Sequence, residues 1–319
     1  MLTAITALAL SAAPAHAWTV EALGDATPAT VTAAGPDVVA GACIDDSECV
    51  LAAIGDSTFV LTARGSAQAI DQLGTIGGDA DGYPVKWLPK QDAFVVSVLE
   101  SGGAEGAVQA VHASGWAAGW VADGVRVRLP VRWSPDGTME DLPLPGDSLL
   151  GEATVVNADG LALGWVEDWH GHRTPTFWGA KAAHPLPTPE HMSAVATDAG
   201  GSTVVGWAQH QGTGEYHHVR WDISGRTPKF VDLGVPVPGA YGMDRIAVNT
   251  AGTAVGTAHV DGTTVPFLSV GRVGKFATHF VDAPQELTAL TDIDDDGVLY
   301  GGMRMGPSKA STMVCLRPE

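Results

Sequence analysis

Three stretches, ATVVNADGLALGW (153–165), AVATDAGGSTVVGW (194–207) and IAVNTAGTAVGTA (246–258), repeat one pattern. An apolar run meets a polar turn closed by glycine, and a second apolar run ends at another glycine. Working outward, weaker copies begin at Val31 (VTAAGPDVVAGA), Ala69 (AIDQLGTIGGDA), Ala110 (AVHASGWAAGW) and Ala289 (ALTDIDDDGVLYGG). The second glycine falls at Gly41, Gly78, Gly119, Gly164, Gly206, Gly256 and Gly301, at intervals of 37 to 50 residues. A period of about 40 to 45 residues built from short strands is the signature of propeller blades.

Each unit reads as four strands. The first two form a hairpin across the polar turn. A third ends in tryptophan in four copies, PVKW at Trp87, PVRW at Trp133, PTFW at Trp178 and HHVRW at Trp221. A large ring at one repeated position suits sheets that bury both faces against neighbours. The fourth strand is brief, as in MEDL ending at Leu142 and KFVDL ending at Leu233. The last copy stops after a third strand, ASTMVCL, while WTVEALG from Trp18 looks like an orphan fourth strand. Pairing residues 18–23 with 311–316 would remove two exposed sheet edges. The expectation is therefore an all-β, seven-bladed β-propeller of four-stranded antiparallel blades, its ring closed by the N-terminal strand. A solenoid would need no such complementary ends. The repeated glycine is expected to admit close approach where strands crowd toward the axis.

With these motifs in view, the chain resembles the HAF-type bacterial extracellular repeat family, whose units follow AxxINxxGxVVGxS…AFLW…DLG. AVNTAGTAVGTA (247–258) followed by VPFLSV is the best match, whereas most third strands here read PVxW or similar. The resemblance implies secretion and a propeller shape. It supplies no catalytic residue.

The opening MLTAITALALSAAPAHA is uncharged and apolar through Leu10, and it ends in Ala15, His16, Ala17, the small-x-small pattern of a signal-peptide cleavage site. Residues 1–17 are expected to be a signal peptide and 18–319 a single propeller domain, secreted or periplasmic. No later stretch has the roughly 20 apolar residues of a membrane span. The formal net charge is −19, with 36 acidic against 17 basic residues. Such an excess of carboxylates repels phosphate backbones and argues against a nucleic-acid partner. Cys43 and Cys49 bracket the acidic loop IDDSE and can close a disulfide across a strand pair. Cys315 is then left as a buried thiol, although its pairing with either of the other two stays open.

Three groups of residues carry candidate chemistry. DIDDDG places Asp292, Asp294 and Asp296 at the spacing that opens a calcium loop, but position twelve is Met303 instead of glutamate. Turn chemistry explains these aspartates without Ca2+, since other copies have NTAG and NADG there. The loops after the second strands of repeats four and five read EDWHGHR and QHQGTGEYHH. Equivalent loops of adjacent blades open on one face, so Asp168, His170, His172, His210, Glu215 and His217 can converge as a metal or binding site. The competing reading is ordinary solvated loops. Trp120, Trp165 and Trp207 recur after the glycine and read as packing, whereas Trp169 and Tyr216 leave the repeat and suit ligand contact. No GxSxG, HExxH or phosphate-binding glycine loop occurs.

Three functions fit these observations. The first is a non-catalytic scaffold binding an extracellular protein or glycan. The second is a metal-assisted hydrolase or lyase using the loops of repeats four and five. The third is a structural module of an envelope or extracellular assembly.

Overall fold

The computed structural model describes residues 18–22, 29–34, 38–43, 49–54, 57–91, 93–124, 127–179, 182–272, 275–280, 287–305 and 310–318. The proposed leader, 1–17, lies outside them. Among the described residues every regular element is a strand. The strands pair antiparallel into seven sheets. In chain order these are sheet one (29–62), two (65–98), three (106–141), four (148–185), five (192–232), six (242–280) and seven (287–318 with Trp18–Ala22). The first strand of each sheet packs on that of the next, and Ala29–Ala34 touches both Gly65–Ile70 and Leu287–Ile293. The molecule is thus an all-β propeller of four-stranded antiparallel sheets with first strands innermost. Sheet seven takes its fourth strand from the chain start, with Trp18 opposite Pro318 and Ala22 opposite Val314.

The third-strand rings do what their repetition suggested. Trp87, Trp133, Trp178 and Trp221 are fully buried. The indole N–H groups of Trp133, Trp178 and Trp221 donate to the carbonyls of Glu100, Pro143 and Pro187. Each of those carbonyls lies on the segment that enters the sheet from the one before it. Burial of the ring and satisfaction of a connecting-segment carbonyl therefore lock neighbouring sheets together.

The repeated glycine admits the close approach expected of it, and at most positions what approaches is a first-strand carbonyl beside a bulge. In sheets one to five and seven the first strand carries a β-bulge directly before the hairpin. The residue left unpaired is Thr32, Gln68, Gln109, Thr154, Thr197 or Thr291. A bulge turns the backbone out of the ladder and drives a first-strand carbonyl toward the partner strand. A Cβ added at Gly78, Gly119, Gly164, Gly206 or Gly301 would stand 1.9–2.1 Å from such an oxygen. The glycine answers the bulge.

The bulged threonines also staple the inner ring. Thr154 Oγ1 donates to the Ala196 carbonyl of the next sheet, and Thr197 Oγ1 donates to the Ile246 carbonyl at 2.7 Å. Sheet six departs from the four-strand expectation. Its first strand is broken into Gly242–Met243 and Ala247–Val248, both paired with Ala254–Val260, so this sheet has five strands. The Asp244 amide still donates to the Thr257 carbonyl of the partner strand, and the break takes Arg245 and Ile246 out of the ladder.

Cys49 is disulfide-bonded. The register Ala42↔Val50 sets Cys43 opposite Cys49 along the backbone. The side chains of Cys43 and Cys315 lie outside the description.

Candidate functional site at the ring axis

Arg245, freed by the interruption in sheet six, extends into the ring. Its Nη1 donates to the Gln68 carbonyl of sheet two at 3.1 Å, and its Nη2 stands 3.8 Å from Asp198 Oδ1 of sheet five. The guanidinium therefore links three sheets across the axis. Around it lies a cavity of about 180 Å³, walled by Gln68, Ala110, Val155, Asp198, Arg245 and Asp292 among others. All of these side chains come from first strands or from the break in sheet six.

Two carboxyls in this cavity are out of their ordinary range. Burial raises the Asp198 pKa, opposed by Arg245, while Asp198 Oδ2 also accepts the Val248 N–H. Burial, reinforced by the charge of Asp198, pushes Asp292 up to about 7, with Arg245 pulling the other way. One cation faces two carboxyls, so near neutral pH the group favours holding a proton between them. A carboxyl that exchanges a proton at that pH can serve as a general acid or base.

Ile70, Ala199 and Asp292 of this cavity also line a neighbouring vestibule of about 500 Å³, bordered by Asp71, Asn249, Asp294, Asp295, Asp296 and Tyr300 among others. Its walls are hairpin turns between first and second strands, and each acidic or amide residue at a turn start has a local duty. Asp71 accepts from the Leu73 and Thr75 amides, Asn249 from Thr253 and Asp294 from Val298. These are Asx turns. Asp294 Oδ2 further accepts the Tyr300 hydroxyl, and Asp295 accepts the amide and hydroxyl of Thr250 in the neighbouring sheet. All three aspartates of the candidate calcium loop border the vestibule, in different surroundings. Asp292 faces the axial cavity, Asp294 closes its own turn and Asp296 is exposed at the vestibule. Among the described residues no group of three or more His, Cys, Asp or Glu is arranged to hold a metal.

The histidine loops open on the opposite face, because successive turns of an antiparallel sheet exit at alternate ends. Asp168 closes its loop by accepting the His172 and His170 amides, which hold its carboxyl below the usual carboxylate range. His172 Nε2 meets the Met192 carbonyl at 2.8 Å, and His210 Nδ1 accepts the Gly212 and Thr213 amides. His191, His210 and His217 form a row with ring separations of 4.8 and 6.4 Å, and His217 Nδ1 stands 2.9 Å from Asp232. Glu215 bonds to Thr213. The loops of repeats four and five are thus joined through the intervening segment that contains His191 and Met192. Tyr216 packs on Trp207 at 5.4 Å, whereas Trp169 is 68% exposed and lies against His170. Of the recurring tryptophans, Trp120 and Trp165 are covered by the guanidiniums of Arg128 and Arg173 at 4.5 and 4.2 Å.

Asp198 and Arg245 were not singled out from the sequence. The available signal was substitution within the repeat: just after the bulge the other copies have Ala33, Ala69, Ala110 and Val155, while repeats five and seven have Asp198 and Asp292.

No family model matches this chain, and no curated protein matches its sequence. Solved structures do. Virginiamycin B lyase from Staphylococcus aureus is similar with a TM-score of 0.61 and 11% identity, over 95% of this chain and 99% of that one. Puromycin hydrolase gives a TM-score of 0.63 and 14% identity over 97% of this chain, which spans 56% of that protein. The β-propeller domain of the Trilobed protease from Pyrococcus furiosus gives 0.58 and 7%, over 92% and 96%. At these identities the likeness shows the propeller fold.

Proposed function

We propose that the seven sheets act as blades of one closed ring and that the axial cavity is the working site, where Asp292 exchanges a proton with a small polar substrate in a hydrolase or lyase reaction. The observation that carries this reading is the convergence of Asp198, Arg245 and Asp292 from three sheets on one cavity. Burying two carboxyls beside one guanidinium works against stability. In an enclosed site it is how enzymes set a carboxyl for acid–base work. In this reading Asp292 is the acid–base group. Arg245 meets negative charge that develops on the substrate, and Asp198 orients Arg245. The cavity volume suits a small molecule, or the end group of a longer one that reaches in through the vestibule. Two of the similar folds carry a lyase or a hydrolase name, which agrees with this assignment and bears on it only as a fold likeness.

Turnover of a panel of chromogenic esters, lactones and glycosides by the purified protein tests the reading. Turnover should fall sharply in Asp292→Asn, which keeps the shape and removes the titration. Activity that survives Asp292→Asn unchanged would assign the chemistry elsewhere.

A second reading rests on Trp169. Its exposed ring beside His170, on the face opposite the vestibule, suits stacking on a sugar or a partner side chain, as a binding scaffold for an extracellular glycan or protein requires. Loss of a glycan-array signal in Trp169→Ala, with Asp292→Asn unaffected, would favour it. Export is part of both readings, as is membership of the HAF-type repeats. Amino-terminal sequencing of the exported protein checks the cleavage after Ala17.

A further inference from the structure

The outer rim of the propeller is uneven. The fourth strands read MED in sheet three, AHP in four, KFVD in five, KFATHF in six and WTVEA in seven. Each carries a charge or a proline, the usual devices that keep an open edge from pairing. Sheets one and two lack them: Ser57–Thr62 reads STFVLT and Ala93–Val98 reads AFVVSV. The strand Ala93–Val98 is bonded on one side only, to Tyr83–Lys90. Val95, Val96 and Val98 on it are exposed, as is Val60 on the neighbouring rim strand. The two rims are continuous, since Phe59 meets Phe94 edge-on at 5.7 Å. Among the described residues, four of the ten exposed large apolar side chains, Val60, Val95, Val96 and Val98, lie on these two rim strands. Scattered exposed apolar residues need no explanation, but a concentration along a free strand edge does.

We propose that Ala93–Val98 pairs antiparallel with the same strand of a second copy about a two-fold axis. The two second sheets would become one continuous sheet, flanked by the Ser57–Thr62 rims. The second copy is indicated by charge and by symmetry. Two chains of net charge −19 repel each other over most of their surfaces. They approach with least opposition where a rim strand bears no carboxylate. A basic partner would be drawn instead to the acidic faces and would gain little here. An uncharged strand with apolar side chains on both faces is also complementary to itself when reversed, as an isologous contact requires.

Sedimentation of the full chain across the micromolar range tests this, with Val96→Lys and Val98→Lys on the edge and Leu149→Lys as a control on an exposed apolar side chain of sheet four. The expected result is a dimer whose dissociation constant rises about tenfold or more with either edge lysine, since each puts a charge opposite an apolar side chain of the partner strand and two like charges into one seam, and is unchanged in the control. A wild-type chain that stays monomeric throughout overturns the proposal, as does a dimer indifferent to the edge lysines. An open, growing assembly overturns it too, because pairing Ala93–Val98 with its own copy uses up that edge on both chains. A monomer that captures a different protein on this strand counts in the same way. Circular dichroism checks that the variants fold. If they do not, amide exchange in the wild type decides: protection of 93–98 should rise with protein concentration, and protection independent of concentration rejects the pairing.

Discussion

Replacing Asp292 by asparagine should stabilise the fold at alkaline pH and leave it nearly unchanged in acid. An unfolded aspartate ionises from 3.8, whereas in the ring Asp292 holds its proton up to about 7. Between those values the folded state binds more protons than the unfolded chain, so wild-type stability falls as pH rises through that window and levels off above it. A tenfold change in proton affinity is worth about 1.36 kcal/mol, and the window spans roughly three such steps, which sets an upper bound of about 4 kcal/mol. The residue lines both the cavity and the vestibule and is only partly buried, and the facing Asp198 side chain keeps 19% of its surface. Solvent reaching the group from that side screens part of the cost, and the expected gain at pH 8 is about 2 kcal/mol. Asparagine does not titrate, so the gain should shrink toward zero near pH 4. Urea unfolding of wild type and variant at pH 4.5, 6 and 8 reads this directly, provided the slope with denaturant is shared. A variant less stable than wild type at pH 8, or a difference that does not change with pH, would refute the burial argument. A gain in stability joined to a loss of turnover is the usual sign that strain is kept for function.

Other consequences follow from single contacts. His218 is fully buried against Phe267 with neither ring nitrogen hydrogen-bonded, and burial lowers its pKa to about 4. Between pH 6.5 and 4 the unfolded chain therefore binds the extra proton and wild-type stability drops, by up to about 3 kcal/mol. Chemical denaturation of His218→Leu should show a shallower acid loss. Trp133→Phe, Trp178→Phe and Trp221→Phe each strand a carbonyl, whereas the Trp87 indole nitrogen has no partner. Melting curves should place Trp87→Phe about 1 kcal/mol or more above the other three. Gly206→Ala would set a methyl 1.9 Å from the Val195 carbonyl. It should cost about 3 kcal/mol or more, while Gly214→Ala, with open space around it, pays only for its positive φ.

What the sequence revealed, and what it concealed, follows from how each feature is encoded. The hairpin turns were legible because an Asx turn needs a particular side chain at its first position, and Asn157, Asn249 and Asp294 occupy it in register with a glycine three residues on. The third-strand tryptophans were legible because a wedge between two sheets has room for one large ring. The glycine was legible as a point of close approach, but not the bulge that brings the carbonyl there, since a bulge has no residue signature of its own. It shows only as a one-residue difference in the count between paired strands, which appears when the register Ala196↔Gly206 and Asp198↔Val205 is known. The site was obscured for a related reason. Which side chains reach the axis depends on which residue the bulge expels from the ladder, and so Asp292 read as part of an acidic turn when its neighbours in the lumen are Asp198 and Arg245 from other sheets. Arg245 was further hidden because it lies one residue ahead of the copy that begins at Ile246, outside the repeated pattern. In a ring built from copies, the positions that depart from the repeat are where function can be added without disturbing the packing that the copies share. Two aspartates at a position that elsewhere holds alanine or valine, and an arginine in the interrupted inner strand of sheet six, are three such departures, and they meet in one cavity.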